Sequence, residues 1–256
     1  MRHTTLKIGL LALLMMASRY GIGMPVPQRE KASLDAMTVA QLEKAGDEAR
    51  AQKDYTLAIQ YFQAALRKDR RNSSLYNKLG LAELKNNELN AARADFERAA
   101  KRDPKNAEAV NNVGAVDYMN KKYGSATKYF KKAVALEETR ATFHVNLGAA
   151  WFSQKKVDRA VMEYARALEL DPDALRQNAK AGVVAQIASP EERAQFSYMM
   201  AKIYAKRGDT EGCLQCLKKA KEDGYRNLAN VYKDEEFSKM RDNPKLHEVV
   251  APPAPK

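Results

Sequence analysis

Between residues 141 and 173 the chain alternates helical-period apolar stripes with short polar breaks. Leu147, Gly148 and Trp151 share one face of a first predicted helix. Ala160, Tyr164 and Ala167, spaced by four and then three, share one face of a second. Polar Ser153-Gln154-Lys155-Lys156 parts the two, and Asp171-Pro172 closes the block. The predicted unit is therefore a helix, a tight turn and a helix. The pattern recurs upstream at a step of 34 residues: Gly148 is preceded by Gly114, Gly80 and Gly46, and Ala160 by Ala126, Ala92 and Ala58. At the same step Tyr164 is preceded by Phe130, Phe96 and Phe62, and Ala167 by Ala133, Ala99 and Ala65. Four positions holding phase through four units predict a repeat array.

The spacing has a physical reason. A Gly on the first helix lets the second helix approach closely, and an aromatic ring four residues after a small Ala fills the space beside the crossing. One such hairpin cannot bury its apolar face alone. Stacked neighbours can, so stability becomes roughly a sum over units and their interfaces.

The glycines, alanines and aromatics quoted above, with Pro104 and Pro172 closing units, resemble the tetratricopeptide-repeat family. The resemblance implies an all-α fold, a right-handed superhelical solenoid of antiparallel helix pairs with about five repeats. It also implies a non-enzymatic interaction scaffold that takes an extended peptide along a concave groove lined by the first helices. Positions five, six, nine and twelve of each unit should line that groove. These are Asn77, Lys78, Leu81 and Leu84; Asn111, Asn112, Ala115 and Tyr118; and Val145, Asn146, Ala149 and Phe152. Asn at position six can hold peptide backbone in the family. Asn112 and Asn146 match that position and Lys78 does not. An amide offers a donor and an acceptor together, which suits a peptide group of any sequence. The family's cationic clamp for a C-terminal carboxylate is not matched, since Glu43 and Asp47 stand where cations or amides would be needed.

Taken in order, residues 1–23 read as a signal peptide and 24–38 as a flexible leader. Arg2 and Lys7 precede an apolar run at 8–17 that is too short to span a bilayer. Gly21 and Gly23 suit a cut before Met24, with Ala17 as the alternative; the protein is expected to be exported, periplasmic or secreted, without a transmembrane anchor. Thr38 and Gln41 form a capping-box start. Four repeats follow at 39–72, 73–106, 107–140 and 141–174. Two departures stand out: Glu138 replaces the closing Pro of the third repeat, and Lys53, Asn87, Lys121 and Lys155 occupy turn positions where the family usually has Gly. Phase is then lost. Residues 175–193 read as an insertion leading into a fresh helix start at Ser189-Pro190-Glu191-Glu192, with a strictly phased repeat at 175–208 as the alternative. Tyr204, Gly208, Cys213, Leu217 and Ala220 fit a fifth, degenerate repeat at 194–227. Short capping helices are expected over 228–250 and a disordered tail over 251–256.

Charge changes this picture little. The balance is 44 basic against 32 acidic residues, a net +12, but the two signs alternate within every repeat. That is the composition of a solvated surface rather than of a nucleic-acid footprint. No nucleophile set, phosphate loop or zinc-protease motif is present, so no catalytic residue, metal site or cofactor is assigned. His144 shares its repeat position with Leu42, Tyr76 and Val110 and reads as a packing residue. Cys213 and Cys216 form the one motif with redox potential. Yet Cys213 takes the small position of Ala58, Ala92, Ala126 and Ala160. Helical residues three apart also hold their Cβ atoms ~5–6 Å apart, wider than the ~3.5–4.5 Å of a disulfide. Three functions remain open: a scaffold binding a protein or peptide, an envelope assembly factor acting by self-association or its convex face, and a thiol redox protein.

Overall fold

The computed structural model of the protein describes residues 34–175 and 189–252. The signal segment with both cut sites, most of the leader, the core of the insertion with Gly182, and residues 253–256 lie outside the described residues. All regular structure among the described residues is helical. The chain divides into two compact units between Asp103 and Pro104, each described by itself.

The first unit holds α1 (Val39–Ala51), α2 (Tyr55–Lys68), α3 (Ser73–Lys85) and α4 (Leu89–Arg102). Each helix packs on the next in chain order, α1 on α2, α2 on α3 and α3 on α4. The second unit opens with α5 (Ala107–Met119), α6 (Tyr123–Leu136), α7 (Ala141–Ser153) and α8 (Val157–Leu170). It continues with α9 (Pro190–Arg207) and α10 (Thr210–Glu222), then 3-10 turns at Leu228–Tyr232 and Glu235–Met240, and ends with α11 (Pro244–Val249). Within the four hairpins, first helices begin at 39, 73, 107 and 141 and second helices at 55, 89, 123 and 157, a constant step of 34.

Local chemistry sets the helix starts. Thr38 and Gln41 bond reciprocally, Thr38 N–H donating to Gln41 Oε1 at 2.8 Å and Gln41 N–H to Thr38 Oγ1 at 3.2 Å. Asn72 and Asn106 cap α3 and α5 by accepting from Leu75 and Ala109. Ser189 caps α9 by accepting from Glu192 N–H at 3.1 Å, with Pro190 at the first helical position. Helix α7 has no such cap, because Arg140 stands at that position. His144 ties the loop down instead: Nε2 lies 2.9 Å from the Glu138 carbonyl and Nδ1 lies 2.8 Å from Glu163 Oε2 on α8. The ring is buried, as its repeat position suggests, but it also links the third-to-fourth repeat loop to both helices of the fourth.

The turns explain how Lys replaces Gly. Lys53, Asn87, Lys121 and Lys155 all adopt left-handed backbone, with φ between 59° and 64°. Each turn makes the paired bonds of a Schellman motif. At the first, Lys53 N–H donates to the Arg50 carbonyl at 3.0 Å and Asp54 N–H to the Ala49 carbonyl at 2.9 Å. The fourth repeats this with Lys155 to Phe152 at 2.8 Å and Lys156 to Trp151 at 3.0 Å. These bonds satisfy helix-terminal carbonyls and hold the strained residue in place. The strain has a measurable consequence. Left-handed backbone costs a non-Gly residue about 1–2 kcal/mol, partly offset by the greater freedom glycine has when unfolded. Lys53→Gly, Lys121→Gly and Lys155→Gly are each expected to stabilise by roughly 0.5–1 kcal/mol, and a triple variant should show the increments adding in a denaturant titration.

Behind the turns, the glycines meet aromatic rings. A Cβ built on Gly46 would lie 2.6 Å from Phe62, on Gly80 2.7 Å from Phe96, on Gly114 2.8 Å from Phe130 and on Gly148 3.0 Å from Tyr164. The fifth hairpin solves the same crossing differently. Aligned on its left-handed Gly208, Ala201 takes the Gly position and Leu217 the aromatic one, and both are fully buried. An added methyl on one helix is matched by a smaller side chain on the other. Val231, Phe237, Met240 and Leu246 close the end of this hairpin in one apolar cluster with Cys213, Leu217 and Ala220.

Candidate interaction surfaces

The twelve residues expected along the inner row separate by burial. In the first unit Asn77 is buried, while Lys78, Leu81 and Leu84 are half-buried. Lys78 reaches across to α1, with Nζ 2.8 Å from Glu43 Oε1 and 2.5 Å from Asp47 Oδ2. Burial lowers its pKa, but the bonds and charges of Asp47 and Glu43 outweigh that and leave it raised. The two acids that break the carboxylate-clamp pattern therefore serve as anchors for a lysine.

In the second unit Asn112 and Ala115 are half-buried, while Asn111 and Tyr118 are buried. On α7 the whole row, Val145, Asn146, Ala149 and Phe152, is buried. Asn146 Nδ2 donates to Asn111 Oδ1 at 2.9 Å, so that amide pair joins α5 to α7. Tyr118 and Ser153 hydroxyls meet at 2.9 Å across the same two helices. Phe152 packs edge-on against Phe196 of α9, with ring centroids 5.5 Å apart. The fourth repeat thus turns its expected binding residues into core, and the accessible part of the row lies on α3 and α5.

Two features escaped the sequence reading. The first is a carboxyl pair in the first unit. Glu83 on α3 and Asp95 on α4 are both buried, and Asp95 is ion-paired with Arg98. Burial, then the adjoining Asp95, pushes the Glu83 pKa up to about 8. Its Oε2 is buried with no hydrogen-bond partner. The second is a cleft of about 610 Å³ in the second unit, where α8 and α9 approach each other far less closely than α6 and α7. Its only sequence signal is the loss of phase after Asp173.

Cys213 sits in the core and Cys216 is half-buried at its edge. Cys213 is fully buried and forms no disulfide with Cys216, and burial, then Cys216 and Asp209, pushes its thiol up to about 12. A thiolate, the reactive form, is strongly disfavoured there. Among the described residues no three His, Cys, Asp or Glu gather as metal ligands, and no helix is long and apolar enough to cross a membrane.

Comparison with solved structures finds repeat proteins of similar fold. MamA from Desulfovibrio magneticus RS-1, residues 41 to the end, aligns with a TM-score of 0.53 at 16% identity, over 72% of this chain and 93% of that one. A MamA protein aligns with a TM-score of 0.52 at 20% identity, over 77% and 95%. YrrB, described as a TPR protein with an unusual peptide-binding site, aligns with a TM-score of 0.50 at 20% identity, over 80% and 94%. At these identities the likeness extends to the fold alone. No curated protein sequence matches the chain. The family model of the tetratricopeptide repeat matches residues 43–107, 77–140 and 116–174. Those matches cover about half of the 256 residues and coincide with the 34-residue helix pairs just described, so the chain belongs to the tetratricopeptide repeat family.

Proposed function

We propose that this protein is a non-enzymatic interaction scaffold that holds a peptide or protein segment against α3, the first helix of its second repeat. The observation that carries the reading is the accessible remainder of the inner row. Leu81 and Leu84 stand beside an anchored Lys78 on α3. Apolar side chains next to fixed polar groups suit side-chain and backbone recognition respectively. Asn146 takes no part, because its amide already bonds Asn111.

A partner is first to be recovered by pull-down of the mature protein from its own extract and then titrated. Leu81→Glu/Leu84→Glu is expected to weaken binding about tenfold or more, as a lost buried contact of roughly 1–3 kcal/mol implies. Lys121→Ala/Lys122→Ala, at an exposed turn, should matter only at low salt. Binding abolished by the lysine change and untouched by the leucine change would place the partner on the turns and sink the reading.

We also propose that the protein is exported, on the strength of Arg2, Lys7 and the apolar run at 8–17. Protein recovered from its native host should begin near Met24 or Ser18 and lie outside the cytoplasm. N-terminal sequencing that finds Met1 on cytoplasmic protein refutes this.

A further inference from the structure

We propose that the outer face of α6 rests on an anionic phospholipid surface, with its lysines among the lipid phosphates. This face is separate from the α3 row, and the proposal does not depend on that reading.

Charge stops alternating along this stretch of the chain. From residue 120 to residue 136 stand Lys121, Lys122, Lys128, Lys131 and Lys132, with no Asp or Glu among them. The corresponding helix of the next repeat, α8, carries two arginines and three carboxylates. Helix α6 packs on α5 and α7 and buries Ala126, Thr127, Phe130 and Ala133. Its outer face is Gly124, Lys128, Lys131, Lys132 and Ala135, at helical spacing and all exposed. Lys121 and Lys122, also exposed, extend the face through the preceding turn. From 124 to 136 it runs about 18 Å at the helical rise.

The four carboxylates of the same repeat, Glu108, Asp117, Glu137 and Glu138, all lie outside the helix. Asp117 on α5 is fully buried and accepts from Ser125 Oγ at 2.6 Å. Past the last turn, Glu137 pairs with Arg140 at 2.8 Å, and Glu108 acts on the same guanidinium. Glu138 is exposed in the loop beyond. Helix α7 has no carboxylate, and Glu163 on α8 is taken by His144. Charge in this repeat is therefore segregated, with the lysines on one helix face and the acids at its far end.

Nothing in the helix itself calls for these lysines. Lys128 repels Lys131 and Lys132, three and four residues on. Elsewhere such positions are answered by an acid, as Lys44 is by Glu48, Arg93 by Glu97, Arg166 by Glu169 and Lys219 by Glu222. Nor do they complement the C-terminal end of the dipole, since α6 has no basic residue in its last turn. A local rule kept by other helices and broken on one points to a use outside the fold.

Two features favour lipid over an acidic protein. Lysine is a compact, hydrated charge on a flexible stem, which suits a fluid array of phosphates; fixed carboxylates are better met by Arg, which α6 lacks. Leu136, one of two large apolar side chains exposed among the described residues, stands with Ala135 at the end of the lysine face. An apolar side chain there can enter the acyl boundary while lysine stems lie along the interface.

The test is co-sedimentation of the protein, purified from its native host, with vesicles of phosphatidylcholine alone or containing about a third phosphatidylglycerol. The protein should partition onto the anionic vesicles in preference to the neutral ones, and the preference should fall as salt rises. Each lysine near such a surface strengthens binding about fivefold. Lys128→Gln/Lys131→Gln/Lys132→Gln should therefore cost at least tenfold, without lowering the thermal melt. Leu136→Gln should weaken binding severalfold and leave its salt dependence unchanged. Lys218→Gln/Lys239→Gln/Lys245→Gln removes the same charge from exposed positions elsewhere and should change binding far less. The proposal is overturned if anionic and neutral vesicles bind alike or if the two triple variants lose affinity equally. It is overturned as well if the α6 lysines capture polyglutamate while the vesicles stay bare, which would assign the face to an acidic protein.

Discussion

Gly114→Leu is expected to lower the thermal midpoint by roughly 5–10 °C. The first added carbon alone would lie 2.8 Å from Cδ1 and Cε1 of Phe130 and 3.2 Å from Cβ of Tyr129. Phe130 is fully buried in the core cluster of its unit, so its ring cannot swing into solvent. Either α5 and α6 separate or the ring leaves its rotamer, and overpacking of this kind costs about 1–3 kcal/mol or more. For a chain of this size each kcal/mol moves the midpoint by about 2–4 °C. Gly124 supplies the control. It is exposed, with nothing within 4 Å of a built Cβ, so Gly124→Ala should be neutral or stabilising by up to about 1 kcal/mol through helix propensity. The double variant Gly114→Ala/Phe130→Leu should recover stability relative to Gly114→Ala, because Ala201 and Leu217 form that pairing in the fifth hairpin. A melt unchanged by Gly114→Leu would show that the close crossing does not contribute.

Stability of the first unit should fall as pH rises from about 5 to about 8, and Glu83→Gln should remove that fall. Glu83 is 3% exposed, and its folded pKa of about 8 lies above the ordinary carboxyl value of 4.5. The folded state therefore keeps a proton that the unfolded chain gives up. The contribution is fully present below about 4.5 and is lost progressively up to about 8, where the carboxylate forms in both states. At 1.36 kcal/mol per pKa shift of one, the loss is of the order of several kcal/mol. The groups facing Glu83 are Asp95 and Arg98 on α4 and Glu88 in the turn. Only Arg98 opposes the rise, and it is engaged by Asp95. Gln keeps a hydrogen-bond donor toward Asp95 without the titrating proton. Denaturant titrations of both proteins at pH 5 and pH 8 read the difference directly; parallel profiles would show that Glu83 ionises without cost.

The sequence by itself determined what near neighbours decide. Helix starts follow from caps within three residues, as at Thr38 and Ser189, and the 34-residue phase of Gly and aromatic positions specified which faces meet inside each hairpin. Even the turns were encoded locally, since Lys53, Lys121 and Lys155 are held left-handed by bonds to carbonyls three and five residues back. Only the tertiary structure decided what covers each face. Phe152 and Asn146 occupy binding positions of the repeat, yet one meets Phe196 from beyond the loss of phase and the other is taken up by Asn111 on the neighbouring first helix. Glu83 and Asp95 each read as ordinary polar residues until α3 and α4 press them into one another. The splay of α8 and α9 likewise depends on Phe196 wedging against Tyr164. Spacing along the chain records which side of a helix is apolar; burial, ion pairing and clefts depend on residues far apart in sequence that only packing brings together.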